Sequence, residues 1–350
     1  MDLQSIELST AAQSAFAGLD VAAKQMELDR SVAQLPGGFA KKVIHGCTYW
    51  YYQVKSADQK PIQTYIGPDD AQTRALMAAH LGRAKTGVAQ TASQHMTQLA
   101  RAALAYGCPD IPNKHAKVIS RLADHGFFRA GGILVGTHAF LAYQNHFGLR
   151  WLAGGMSLEP DFAHPGKNIS IALPSNLHID TRSAIESLQM GFVPIQSQTT
   201  YKKSDEPDFD LDFLTSMGRN LDAPVHIEAL NVTLQPLRFM ELSLEAPLRA
   251  TLLSRSGPVV VNVPQPERFA LHKLIVFVER RQDMRLKANK DLAQAGSLIH
   301  YLLDNEPDAL HAQWQDVISR GPGWQSRLQT GFAALCQRYP DLNFAARLPL

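Results

Sequence analysis

The chain has 350 residues, with 34 Lys and Arg against 32 Asp and Glu, 45% hydrophobic residues and 19% charged ones. That is the composition of a folded globular protein long enough for two or three domains, and it excludes a disordered, collagen-like or disulfide-framed chain. No run approaches the roughly 18 apolar residues of a membrane span, and MDLQSIELST lacks a signal peptide's basic start and apolar core, so no membrane partner and a cytoplasmic location are expected.

Three widely spaced cysteines, Cys47, Cys108 and Cys336, signal neither a disulfide framework nor a zinc site. Charge is unevenly spread. Residues 1–130 carry 14 basic groups against 10 acidic, whereas residues 131–260 carry 9 against 13. An acidic middle suits a cation-binding centre and equally a solvated surface.

Residues 1–40 read as a helical arm ending near Leu35-Pro36-Gly37-Gly38. From Lys41 to Gly67 the pattern changes to strands, and in it His45 to Val54 and Ile62 to Ile66 flank a polar turn and read as a hairpin. Its Tyr49, Trp50, Tyr51, Tyr52 and Tyr65, near Lys41, Lys42 and Lys55, suit either nucleobase stacking or cross-strand packing, and packing is the expectation. Asp69 to Tyr106 is Ala-rich and reads as one long helix or two in line, with His80 and His95 as surface or packed groups. Asn113 is placed to cap a further helix, which ends at Gly126.

The stretch with chemical content follows. Ile133-Leu134-Val135 is a short apolar strand, Gly136-Thr137 a turn, and His138 to Phe147 an amphipathic helix. A helix starting at such a turn aims free N–H groups and its positive dipole end there, Gly136 admits a phosphate, and the Thr137 hydroxyl can donate to it. Beyond a Gly-rich connection, Leu158 to Ala163 alternates as a strand, which puts Glu159 and Asp161 on one face. Paired carboxylates suit Mg²⁺, which takes oxygen ligands and leaves positions for substrate phosphates.

Ile169 to Leu173 reads as another strand, and Thr181 to Met190 as a helix stopped by Gly191. In residues 204–215 Phe209, Leu211 and Phe213 alternate with Asp210 and Asp212, a strand pattern rather than a hydrated loop. Residues 225–263 are β-rich, with a hairpin around Ser254 to Pro258. Pro266 opens a helix that carries Lys273, which is by itself a solvated side chain as readily as a ligand. Arg280, Arg281, Arg285, Lys287 and Lys290 follow, and residues 289–340 are helical, with breaks near Pro307 and Gly321-Pro322-Gly323.

VGTHAFLAY, DFAHPGKNISIALP, Leu211 to Thr215 and VPQPERFALHKLIVFVERR together resemble the DNA polymerase β-type nucleotidyltransferase superfamily, in particular bacterial nucleotidyltransferase-fold proteins related to toxins of toxin–antitoxin and abortive-infection systems. The chain departs from the family's Thr-x-Asp-x-Asp by reading Ser157-Leu158-Glu159-Pro160-Asp161.

The resemblance implies an α+β fold. A polymerase β-type core of mixed sheet and helices would span 113–263, between an N-terminal arm, aromatic hairpin and long helix at 1–112 and a C-terminal helical domain at 264–350. It implies that Glu159, Asp161 and Asp212 hold Mg²⁺ or Mn²⁺, with Asp210 the runner-up to Asp212. Gly136, Thr137, Lys273 and Lys290 would bind the nucleotide, with Asp291 bracing Lys290. The implied reaction moves a nucleoside monophosphate from an NTP such as ATP to an acceptor hydroxyl. RNA or tRNA is the first acceptor, a protein side chain or small molecule the second, and an antitoxin protein is the implied partner. The competing reading is a non-catalytic nucleotide-binding or regulatory protein, which Pro160 in the acidic strand would favour.

Overall fold

The computed structural model describes residues 3–32, 37–44, 46–55, 61–83, 90–152, 169–172, 180–195, 198–203, 205–217 and 223–348. The fold is mixed α and β, as the α+β expectation has it.

The N-terminal strand β1 (Ser5–Glu7) precedes the long helix α1 (Thr10–Val32). A three-stranded antiparallel sheet follows, made of β2 (Gly37–Ile44), β3 (Cys47–Lys55) and β4 (Pro61–Pro68). The sequence suggested a two-stranded hairpin; the additional strand, β2, pairs along its full length with β3, from Gly37 opposite Val54 to Ile44 opposite Cys47. Cross-strand partners, which local pattern does not reveal, turn Gly37 to Ala40, read as the arm's end, into sheet continuous with the strand pattern from Lys41.

The aromatic residues of this sheet are largely internal. Tyr49, Tyr52 and Tyr65 are buried, Tyr65 Oη donates to the Pro247 carbonyl at 2.8 Å, and Trp50 Nε1 donates to Asp69 Oδ1 at 2.8 Å. They serve packing, against α1 and α2 (Ala71–Arg83) on one side through Leu28, Ile66, Leu76 and Met77. His80 pairs with Asp29 at 3.0 Å, and His95 is exposed.

After α3 (Gln90–Ala105) comes α4 (Asn113–Asp124), whose cap is Pro112 in extended conformation with no side-chain hydrogen bond. Asn113 is therefore the first helical residue rather than the cap. Pro112 fixes the extended entry that a polar cap would otherwise stabilise.

The central sheet is built from β5 (Ile133–Val135), β7 (Ile169–Ala172), β8 (Phe192–Ile195), β9 (Thr200–Lys203), β10 (Glu206–Ser216), β11 (Val225–Ile227) and β12 (Val232–Leu237). Its main order is β11-β12-β10-β7-β5, with β9 joining β10 to β8. β10 runs parallel to β7 and β12, whereas β5 is antiparallel to β7 and β9 antiparallel to β10. Between these strands lie α5 (Gly136–Phe147), β6 (Leu149–Trp151), which pairs with β1, and α6 (Thr181–Glu186).

The chain continues through α7 (Glu241–Leu244), the hairpin β13 (Leu248–Ser254) and β14 (Gly257–Val263), then α8 (Pro266–Glu279), α9 (Arg285–Asn305), α10 (Pro307–Ser319) and α11 (Pro322–Arg338). Proline stands in the first turn of α8, α10 and α11, where its missing N–H costs nothing.

Phe127, Phe140, Tyr143, Trp151, Phe213, Phe269 and Trp314 belong to one apolar cluster that also includes residues from Leu3 to Leu348. Each such side chain, fully buried, contributes about 1.5 to 3 kcal/mol before entropy is charged against it. Asn262 on β14 donates its amide nitrogen to the carbonyls of Phe128 at 2.7 Å and Gly132 at 2.9 Å, which ties the loop entering β5 to the hairpin. Among the described residues, no helix is long and apolar enough to cross a membrane.

Candidate functional site

β5 is buried along its length and ends on Val135 in extended conformation. Gly136 then takes φ +65°, a left-handed value that a Cβ would strain, and α5 starts there with no side-chain cap. The first-turn N–H groups of α5 thus meet no capping side chain, and the helix's positive end points with them. Thr137 is buried, and its Oγ1 accepts a hydrogen bond from Lys290 Nζ at 3.0 Å. With its lone pair used this way, the hydroxyl keeps its own hydrogen for another oxygen.

Lys290 brings a cationic group to the turn. Asp291, fully buried on α9, accepts from Lys273 through Oδ1 and from Arg280 through Oδ2, the latter at 2.9 Å. Burial alone would push the Asp291 carboxyl up, but Lys273 and Arg280 outweigh it and hold the group below its usual value. The acid expected to brace Lys290 therefore forms its hydrogen bonds with Lys273 and Arg280. Burial, reinforced by Lys273, pulls Lys290 down to about 8. Two cations bond this one carboxylate and Lys290 lies nearby without a bond to it, an arrangement that an arriving anion would relieve. Lys273 is no solvated side chain; it is buried, with its ammonium 5.3 Å from the centre of the Phe269 ring.

On β10 the Phe209, Leu211 and Phe213 side chains enter the core while Asp210 and Asp212 lie on the other face, half-buried. Asp212 stands opposite Ser170 of β7, and Ser170 stands opposite Val135 of β5. The residue before Gly136 and Asp212 thus occupy one row of the sheet, two strand spacings or about 10 Å apart. Thr200 Oγ1 donates to Asp212 Oδ1 at 2.8 Å, and among the described residues Oδ2 makes no hydrogen bond. Asp210 lies 3.6 Å from Lys202; burial raises its pKa, and Lys202 opposes the rise.

Glu159 and Asp161 lie outside the described residues. Among the described residues no group of three or more His, Cys, Asp or Glu side chains could hold a metal ion. Asp212, a part-exposed carboxylate held through one oxygen, fits a hard divalent cation as one ligand of a larger set.

The structure also shows a pair that sequence inspection did not single out. His138, next to Thr137, meets His115 of α4 through Nε2 and Nδ1 at 2.8 Å, and the His115 ring lies 5.1 Å from that of Phe209 on β10. Burial, then His115 and Lys290, lowers His138 to about 3, so it is neutral at ordinary pH. The pair links α4, α5 and the strand that carries Asp212. The two histidines lie 23 positions apart on separate helices and form no spacing motif.

A family model described as Nucleotidyltransferase matches residues 113–319, more than half of the chain. The match covers Gly136, Thr137, Asp212, Lys273 and Lys290, and the chain belongs to that nucleotidyltransferase family. No curated protein and no solved structure matches it.

Proposed function

We propose that this member of a nucleotidyltransferase family is a metal-dependent enzyme with a polymerase β-type core, moving a nucleoside monophosphate from an NTP to an acceptor hydroxyl. The observation that carries the reading is the contact of Lys290 with Thr137 at the uncapped start of α5, just after Val135, which shares a sheet row with Asp212.

In this scheme residues 113–263 supply the turn and the acids, and residues 264–350 the cations. The α5 N–H groups, the Thr137 hydroxyl and Lys290 receive the β- and γ-phosphates, and Gly136 leaves room for them. Lys273, held in place by Asp291, stands behind them as a further cation. Asp212, with Glu159 and Asp161 as the resemblance has it, would hold Mg²⁺ or Mn²⁺. When bound, such an ion supplies charge neutralisation at the phosphates and a lowered pKa at the attacking hydroxyl. No protein nucleophile is needed, because this chemistry rests on positioning and electrostatics.

The acceptor is RNA, tRNA included. On the resemblance alone, the biological setting is a toxin or defence protein restrained by an antitoxin protein.

Incubation of the protein with each of four α-labelled NTPs, Mg²⁺ or Mn²⁺, and total RNA or lysate protein tests the scheme. Label should move to RNA, and Asp212→Asn or Asp161→Ala should abolish the transfer without unfolding the chain. Unchanged transfer by both variants would overturn the assignment. A nucleotide-dependent rise in melting temperature with no pyrophosphate released would replace it with the non-catalytic reading. Growth arrest on induced expression, relieved by Asp212→Asn, tests the toxin role.

A further inference from the structure

From the end of α8 into the first turn of α9 the chain makes a short exposed stretch, Arg281 to Lys287, in which every residue is exposed. It carries Arg281, Arg285 and Lys287 against the single acid Asp283. Arg281 lies 3.5 Å from Asp283, but its side chain is 81% exposed and that of Asp283 62%, so the pair is weak. Arg285 and Lys287, in the first turn of α9, are exposed as well. Leu286 is 87% exposed and Met284 38%, which leaves apolar surface interleaved with the cations.

The position of the turn gives this surface meaning. Lys287 stands on α9 three residues before Lys290, whose Nζ donates to Thr137 Oγ1 at 3.0 Å. The exposed strip therefore ends about one helical turn from the residue that contacts the Gly136-Thr137 turn. The phosphate-binding groups already described can neutralise a nucleotide, and Arg281 and Arg285 lie outside them.

We infer that the 281–287 turn is the docking edge for a single-stranded nucleic-acid acceptor, whose phosphates meet Arg281, Arg285 and Lys287 and whose bases rest on Met284 and Leu286. This rests on the nucleotidyltransferase reading of the adjacent site. A strand of this kind carries charge at regular spacing, so it can bind along the turn while its terminal hydroxyl reaches Asp212. A small neutral acceptor would gain nothing from these cations. An acidic protein would leave Leu286 and Met284 without base faces to cover.

The test is binding of a labelled single-stranded RNA oligonucleotide of mixed sequence, followed by fluorescence anisotropy over a salt series, with the full-length protein and its R281E/R285E variant. Both substitutions are at the surface, and matching melting temperatures check the fold. The variant should lose about tenfold in RNA affinity, and its log–log salt slope should be shallower by about 1.4, about 0.7 for each phosphate that is no longer neutralised. The melting-temperature rise given by ATP with Mg²⁺ should be the same in both proteins.

Unchanged RNA affinity and slope in R281E/R285E would overturn the inference. So would absence of RNA binding by the wild-type protein, or displacement of the RNA by an acidic peptide at equal charge concentration. An equal loss of ATP and RNA affinity would overturn it too, because the turn would then only steer the nucleotide. If no nucleotide stabilises the wild-type protein while RNA binding still depends on Arg281 and Arg285, the nucleotide reading fails and the docking edge stands.

Discussion

Lys290 Nζ and Thr137 Oγ1, 153 positions apart in the chain, meet at 3.0 Å over the first turn of α5. The contact joins the C-terminal helices to the strand-turn-helix unit and makes the start of α5 a place where anionic charge is stabilised from two directions.

Loss of the Lys290 ammonium should weaken nucleotide binding without unfolding the protein. A charge-assisted hydrogen bond is worth about 1.5 to 3 kcal/mol, so Lys290→Met should raise the Kd for an NTP about ten- to a hundredfold, read by calorimetry. Because burial brings Lys290 down to about 8, its charge is present below that pH and lost above it. Wild-type affinity should therefore fall as pH rises through about 8, and Lys290→Arg, which stays charged, should flatten that dependence.

Gly136→Ala should combine a stability loss with a binding loss. At φ +65° the added Cβ costs about 1 to 2 kcal/mol, measurable by chemical denaturation. The same methyl group occupies the approach to the α5 N–H groups, so the nucleotide-induced rise in melting temperature should shrink. A variant with full stability and an undiminished nucleotide response would show that the turn does not bind phosphate.

Asp291→Asn should be the most destabilising change in the cationic group. It leaves Lys273 and Arg280 buried or half-buried against a neutral amide. Removing one partner of such a network costs about 3 to 5 kcal/mol. Equilibrium urea unfolding checks this, and a loss under about 1 kcal/mol would mean that the two cations find other partners or water.

His138 should make the folded state acid-sensitive. Its pKa is lowered on folding, so the unfolded chain takes up a proton near the ordinary histidine value while the native ring does not until about 3. Stability is therefore lost progressively as pH falls through that window, and His138→Leu should flatten this part of the curve. Thermal melts between about pH 7 and 4 read the difference.

The parts of the site that could be read from sequence are those with a local cause. Three apolar residues, a Gly-Thr pair read as a turn and a helical apolar face sufficed to locate β5, Gly136 and α5. Alternation was enough to turn the acidic stretch around Asp210 and Asp212 into a strand. The start of strand β2, Gly37 to Ala40, was missed because its pairing with β3 exists only once the sheet forms.

Lys273 illustrates the limit more sharply. Its place on an amphipathic helix says nothing of Asp291 eighteen residues later, and that partner decides whether the ammonium is solvated or buried. The His115–His138 bond likewise arises from the packing of two helices, which no spacing in the chain encodes.

One consequence follows from the amide of Asn262, which holds both Phe128 and Gly132 by their carbonyls. The loop that delivers β5, and with it the Gly136 turn, is indexed to the β13–β14 hairpin. Under the proposed scheme, alignment of the phosphate-binding turn is inherited from that remote clamp. A random screen for inactive variants should therefore recover changes at Asn262 that look like catalytic defects, although the fault is one of registration.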